Sequence, residues 1–415
     1  MDQQLESKAH LPLAGVKVLE LSQIMAGPTC GVMLADLGAD VYKIEKFPAG
    51  DDARHYRRSG DSGLPPSFMM LNRGKRSVGI DMKVPEGRAA LLRMVEQADV
   101  LTENFRFGVM ERLNLGYEVL REANPKLIYC SISGYGRQGP MAEKGGFDLI
   151  LQAFSGLISV TGERDRAPVK PGVSIADVNA GILAAFGVLA AYIHRLKSGV
   201  GSRVDTSLLQ ASLQQMYWYA AAYFSKGIIG KPSGTAHTLI APYQVFQCAD
   251  GGIAIGGANQ TNWERIADLL GHPEWKSDPR FDSPDARLRN RSELELLINA
   301  ALHPATVSDW VKRFEEAGVP AGPVQNVAQA LEHEQSRAVG MVQEVDAPDG
   351  GKTRTLGLPV LFDGRSQIAS SAAPRVGEHT ECVLSEFGFT PDEIVRLVAC
   401  KAVFQSEPGV EGNAR

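Results

Sequence analysis

The 415-residue chain lacks most of the short signatures that identify common enzymes. It has no G-x-S-x-G elbow, no H-E-x-x-H pair and no G-x-x-x-x-G-K-[ST] loop, which removes the commonest esterases, zincins and P-loop enzymes. Its five cysteines, Cys30, Cys130, Cys248, Cys382 and Cys400, are odd in number and widely spaced, without a C-x-x-C pair. Neither a disulfide framework nor a metal site is expected, and a reducing cytoplasm is the simplest setting. No apolar run approaches the roughly 20 residues that span a bilayer. The richest, residues 181–193 (GILAAFGVLAAYI), reads as a buried helix. The polar start, MDQQLESKAHLPLAG, has no apolar core of the kind a secretory signal needs. Positive charge is not in excess either. The net charge of −5 gives no reason to expect nucleic acid or an anionic membrane as partner.

What is present is the composition of a globular protein, 44% apolar and 22% charged, long enough for two or three domains. Residues 16–21 (VKVLEL) and 40–45 (DVYKIE) read as strands flanking a helical stretch, 29–37, that ends at Gly38. This βαβ unit favours a parallel sheet, and the alternation continues with strands at 100–103, 127–132 and 203–205. The fold class expected is α/β: an open, Rossmann-like parallel-sheet large domain and a smaller α+β domain. The large domain is placed at 1–225, followed by a linker at 226–234 (KGIIGKPSG) and the small domain at 235–323. A second linker occupies 324–340, and 341–415 returns to the large domain. Asp250-Gly251 marks a hairpin turn in the small domain.

Three groups of residues carry candidate chemistry. Residues 134–139 (GYGRQG) fit the dinucleotide pattern G-x-G-x-x-G, but Pro140 follows instead of a helix, so the segment reads as a tight turn. Asp177 stands just before the most apolar helix. An aspartate there can cap the helix; equally, a helix N-terminus keeps a carboxylate ionised, and such a carboxylate can attack an acyl carbon. The basic cluster 72–76 (NRGKR), with Lys43 and Lys46 at the end of the second strand, is either solvated surface or an anion site at the strand ends.

Several segments taken together resemble the class III coenzyme A transferases of the CaiB/BaiF type. They are 13–28 (LAGVKVLELSQIMAGP), 37–45 (LGADVYKIE), 50–52, 71–83 (LNRGKRSVGIDMK) and 103–105. The likeness continues through 131–140 (SISGYGRQGP), 172–189, 234–246 (GTAHTLIAPYQVF) and 377–380 (GEHT), nearly end to end. The family includes formyl-CoA:oxalate, carnitine and dicarboxylate transferases, and also α-methylacyl-CoA racemase.

The resemblance implies that Asp177 is the covalent nucleophile and that coenzyme A or acyl-CoA is substrate, with no permanently bound cofactor. It places CoA contacts at Met25, Ala26, Lys46, Ile80, Asp81, Met82, Lys83, Asn104, Phe105, Arg112, Gly146, Phe147 and Asp148. Lys75 and Arg76 are added to that set on charge alone. The racemase branch needs a histidine where Phe147 stands, and a phenyl ring transfers no proton. The segment 234–246 is most similar to transferases pairing succinyl-CoA with glutarate, hydroxymethylglutarate or citramalate. For a second carboxylate on such an acceptor, His237 and Tyr243 are the candidate anchors. The family also implies an interlocked homodimer.

Overall fold

The computed structural model describes residues 10–56, 63–347, 350–367 and 371–406. The chain divides into two compact units: 1–157 with 171–221 and 334–415, and 158–170 with 222–333.

The first unit is built on a sheet of seven strands. In chain order these are β1 (Lys17–Glu20), β2 (Asp40–Glu45), β3 (Lys75–Ile80), β4 (Val100–Glu103), β5 (Ile128–Ser133), β6 (Arg203–Ser207) and a C-terminal strand, Val403–Phe404. Their spatial order is C-terminal strand, β3, β2, β1, β4, β5, β6. All pairings among β1–β6 are parallel; the C-terminal strand runs antiparallel along the β3 edge. Near-continuous burial of β2, β3 and β5 is what a sheet covered on both faces requires.

Helices supply the covers: α1 (Ala26–Asp36), α2 (Pro66–Asn72), α3 (Pro85–Val95), α4 (Tyr117–Ala123), α5 (Asp148–Phe154) and α6 (Ile175–Ser198). One face packs Cys30, Leu34 and Ala35 of α1 and Ala180, Ala184 and Val188 of α6 over Val18, Val41 and Ile128. The opposite face packs Leu91, Met94 and Val95 of α3 with Leu384 and Phe387 over Leu19, Tyr42 and Leu101. Helix α6 is long and apolar enough to cross a membrane. Its small-residue face (Ala176, Ala180, Ala184, Ala191) is nonetheless buried in this core, as 181–193 suggested.

Sequence reading missed β3. The cluster 72–76 reads as solvated surface or as an anion site, but the strand begins inside it, and alternation turns Lys75 inward and Arg76 outward. The helix carrying Asp177 also starts earlier than expected, so Asp177 lies in its first turn; Ser174 holds the cap position.

The second unit has a three-stranded antiparallel sheet, β7 (Tyr243–Gln247), β8 (Gly252–Gly256) and β9 (Ala321–Pro323). Its core is Phe246, Ile253, Trp263, Trp310 and Phe314. The Asp250-Gly251 hairpin is present between β7 and β8. Two boundaries differ from expectation. Residues 158–170 cluster with this unit although they precede it in the chain, and 324–340 is no bare linker, since it carries helices Val327–Glu332 and Glu334–Ala338.

Candidate active site

The order β3-β2-β1-β4-β5-β6 changes direction between β1 and β4, and in such sheets ligands bind outside the carboxyl ends of the strands at that switch point. The turn leaving β1, residues 21–25, stands there. Asn104, just past β4, holds it from the other side: its Oδ1 accepts the Gln23 N–H at 2.9 Å and its Nδ2 donates to the Gln23 carbonyl at 2.8 Å. The switch point is therefore bridged by an amide.

Helix α6 meets α1 at this same end. A Cβ added to Gly181 would land on the Ala26 carbonyl oxygen and lie 2.6 Å from Thr29 Cβ. Glycine at 181 lets the two helices approach, four residues past Asp177 and hence about one turn along α6. The start of α6 is tied down by Asp148, the first residue of α5. Its Oδ1 accepts the Ala176 N–H at 3.0 Å, and its Oδ2 accepts from Gln152 Nε2 at 2.6 Å.

Asp177 itself accepts no hydrogen bond and forms no ion pair among the described residues. Burial first, and then the negative charge of Asp148, push its carboxyl up to about 6. The capping role is excluded, because the side chain lies within the helix and not ahead of it. What is left is a half-buried carboxylate, ionised at neutral pH and more basic than usual, with nothing occupying its oxygens. A group of that kind can act as a nucleophile.

The other predicted residues divide. Lys46, Lys83, Arg112 and Phe147 are exposed, Phe147 by 65%. Lys46 follows β2 directly and pairs with Asp52 at 2.7 Å. Met25, Asp81, Met82, Phe105 and Gly146 are partly exposed, and Asp81 Oδ1 accepts the Lys83 N–H. Gly146 leaves room for Leu151 and the Gly134 backbone, which a Cβ would strike. Ala26 is buried, as its place under α6 requires, and Asp148 is spent on α6.

Three expectations are corrected. Lys75 is no ligand cation: it is fully buried, with Nζ on Glu20 at 2.8 Å, on the Pro28 carbonyl and on Asn72 Oδ1, both at 3.0 Å. Burial pulls its pKa down to about 8. Arg76 is committed to a two-pronged pair with Glu386, at 2.6 and 2.8 Å, and lies over the Tyr42 ring. The Ile80 side chain is in the core and out of a ligand's reach.

In the second unit, His237 and Tyr243 are brought together, their rings edge-on with centroids 5.5 Å apart. His237 Nδ1 accepts the Leu239 N–H at 3.1 Å, which leaves the neutral ring's proton on Nε2. Sequence reading overlooked Arg291, which donates to the His237 carbonyl at 2.6 Å. Burial and then the neighbouring Arg164 lower its pKa, so two guanidinium groups stand close to one another here. Only an excess of positive charge near 234–246 could have signalled it, and Arg164 and Arg291 lie far from one another along the chain.

The fold is that of an α/β protein with a large parallel sheet, and the candidate residues Asn104 and Asp177 lie on elements that meet near the sheet's switch point. The chain belongs to CoA-transferase family III, whose model matches residues 13–380. It is 36% identical over 381 residues to the succinate–glutarate CoA-transferase of Agrobacterium fabrum, covering 90% of this chain and 95% of that one. With the succinyl-CoA–D-citramalate CoA-transferase of Chloroflexus aurantiacus it shares 34% over 394 residues, 94% of this chain and 98% of the relative. A crystal structure of a CAIB/BAIF family protein from Brucella suis superposes with a TM-score of 0.80 at 37% identity. That match covers 91% of this chain and 99% of the other. The protein is an enzyme that transfers coenzyme A.

Proposed function

We propose that this enzyme moves CoA from succinyl-CoA to a dicarboxylate acceptor such as glutarate, hydroxymethylglutarate or citramalate, through covalent intermediates on Asp177. The observation that carries the reading is the unpaired, half-buried Asp177 carboxylate with its raised pKa, on α6 next to the sheet's switch point. The relatives acting on succinyl-CoA with glutarate or citramalate support the substrate class.

In this mechanism Asp177 attacks the thioester carbonyl, and the C–S bond breaks to give a succinyl-aspartyl anhydride and CoA thiolate. The thiolate then attacks the aspartyl carbonyl, releasing succinate and leaving an aspartyl-CoA thioester. The acceptor carboxylate displaces the thiolate to form a second anhydride. Attack of the thiolate on the acceptor's acyl carbon frees Asp177 and yields the new acyl-CoA. A carboxylate raised to about 6 suits both halves: it is ionised at neutral pH, yet a stronger nucleophile than one held near 4. Phe147 beside Asp148 supplies no second base, so racemisation has no support.

The acceptor's second carboxylate is assigned to His237 and Tyr243, with the positive field of Arg164 and Arg291 as support. A homodimer is proposed on a surface feature of α6. Val178, Ile182, Phe186, Ile193 and Leu196 form an exposed stripe at helical spacing, Phe186 exposed by 69%. A second copy of the chain is the proposed cover, and sedimentation velocity tests it, a monomer at micromolar concentration counting against it.

The deciding experiment incubates the enzyme with succinyl-CoA, traps with hydroxylamine and maps the modified peptide. A hydroxamate on Asp177 that is absent from Asp177→Asn supports the reading. Full turnover by the Asn variant overturns it.

A further inference from the structure

Ile24 has φ +69°, in the left-handed region that a β-branched side chain rarely enters. Such a residue stays there only when its surroundings over-determine it. It lies between Gln23, stapled to Asn104, and Met25, after which α1 begins.

The group that holds it is Asp51. Its Oδ1 accepts the Ile24 N–H at 2.9 Å and the Ala53 N–H at 2.9 Å. Its Oδ2 is 2.9 Å from Lys43 Nζ. Lys43 is itself fixed by Glu20 at 3.0 Å and by the Ser22 carbonyl at 3.0 Å, so it reaches the same turn from below. Glu20 in turn is shared with Lys75, and Gly31 of α1 leaves the space its carboxylate fills. Asp51, Lys43, Glu20 and Lys75 are all buried, Asp51 to 1% exposure. Burial alone would push the Asp51 carboxyl up, but Lys43 and the amides of Ala53 and Ile24 outweigh it and hold it below the usual range. Two buried cations and two buried anions thus converge under one partly buried turn.

We infer that Asp51 is a positioning residue for CoA binding: it clamps the strained Ile24 peptide, and with it the turn carrying Met25 and Ala26, in the conformation that receives acyl-CoA. This rests on the proposed use of that turn by CoA. Without the clamp Ile24 relaxes out of the left-handed region and only a minor fraction of molecules stays competent. Apparent affinity then falls in proportion to that fraction.

A double-mutant cycle on the full-length enzyme tests the clamp, combining Asp51→Asn with Ile24→Gly and reading Kd for CoA by calorimetry and KM and kcat for succinyl-CoA. Glycine occupies this φ freely, so in that background little pulls the turn away. Asp51→Asn in the native background should raise Kd and KM roughly ten-fold with kcat within about two-fold. In the Ile24→Gly background the same change should cost no more than about three-fold. Equal losses in both backgrounds, or a loss confined to kcat, overturn the inference. A merely structural Asp51 predicts the former. Native-state hydrogen exchange on the wild-type protein decides the matter even if Asp51→Asn does not fold: the Ile24 amide should exchange slowly for a turn residue, and rapid exchange overturns the clamp. Failure of the wild type to bind CoA would condemn the proposed function instead, leaving the clamp to be judged by exchange alone.

Discussion

Two aspartates at the same end of the sheet have opposite surroundings. Asp51 is satisfied on both oxygens, by two backbone amides and a lysine, and its pKa is depressed. Asp177 has no partner among the described residues, and burial together with Asp148 raises it to about 6. The first arrangement contributes stability and rigidity; the second gives up stability and leaves an oxygen lone pair available. The proposed nucleophile has to be left wanting, and the fold must hold it there by other contacts, here those of Asp148 to the α6 backbone.

The sharpest break of this comparison is to remove each charge in turn. Asp177→Asn should lower transfer by roughly four orders of magnitude or more, because the nucleophile is gone. The same change should stabilise the protein by about 1–3 kcal/mol at neutral pH in urea unfolding. Asp51→Asn should destabilise it by about 3–5 kcal/mol, since Lys43 loses a buried counter-ion. Two stability changes of the same sign would show that the contrast between the sites is not electrostatic.

Next in size is Gly181→Ala, whose methyl meets the Ala26 backbone oxygen and must separate α1 from α6. We expect about 1–3 kcal/mol of destabilisation and a clear loss in kcat/KM. Unchanged activity would mean that the approach of the two helices does not matter to the site.

The pH dependences should also run in opposite senses. The raised Asp177 carboxyl binds its proton more tightly folded than unfolded, so its contribution to stability is lost as pH rises from about 4 through about 6. Asp51 is depressed, so its contribution is present above the ordinary carboxyl range and is lost as pH falls below that range through its lowered pKa. In single-turnover experiments acyl-enzyme formation should rise with pH through about 6 and then level. A flat profile from pH 5 to 8 would contradict an ionising Asp177.

The smallest effect is expected in the second unit. His237→Ala should raise KM for the acceptor by about two- to ten-fold while leaving the succinyl-CoA half-reaction alone. Unaltered acceptor affinity and selectivity would remove His237 from the assignment.

Much of this was legible in order along the chain. Strands with branched apolar runs, such as 40–45, and a glycine at the end of a helical stretch, Gly38, gave the βαβ unit because those signals are local. The hairpin at Asp250-Gly251 was visible for the same reason. β3 was not, because its run KRSVGI opens with two charges that read as surface; only Glu20, the Pro28 carbonyl and Asn72, which folding brings onto its Nζ, explain why a lysine is accepted inside. Arg291 escaped notice because its importance depends on Arg164 and His237, both distant in sequence.

The sequence by itself determined the α/β class, the family likeness and Asp177 as the residue to watch, since strand and helix periodicity and motif spacing are properties of neighbours along the chain. Tertiary structure alone decided which charges are tools and which are foundations. Lys75 and Arg76 looked like ligand cations and are consumed by Glu20 and Glu386, whereas Asp51 and Ile24, each inside a segment of the family likeness but given no role by it, meet at the turn after β1. The physical reason is that the protonation and availability of a charge depend on what lies within a few ångströms of it, and folding brings those groups together from across the chain.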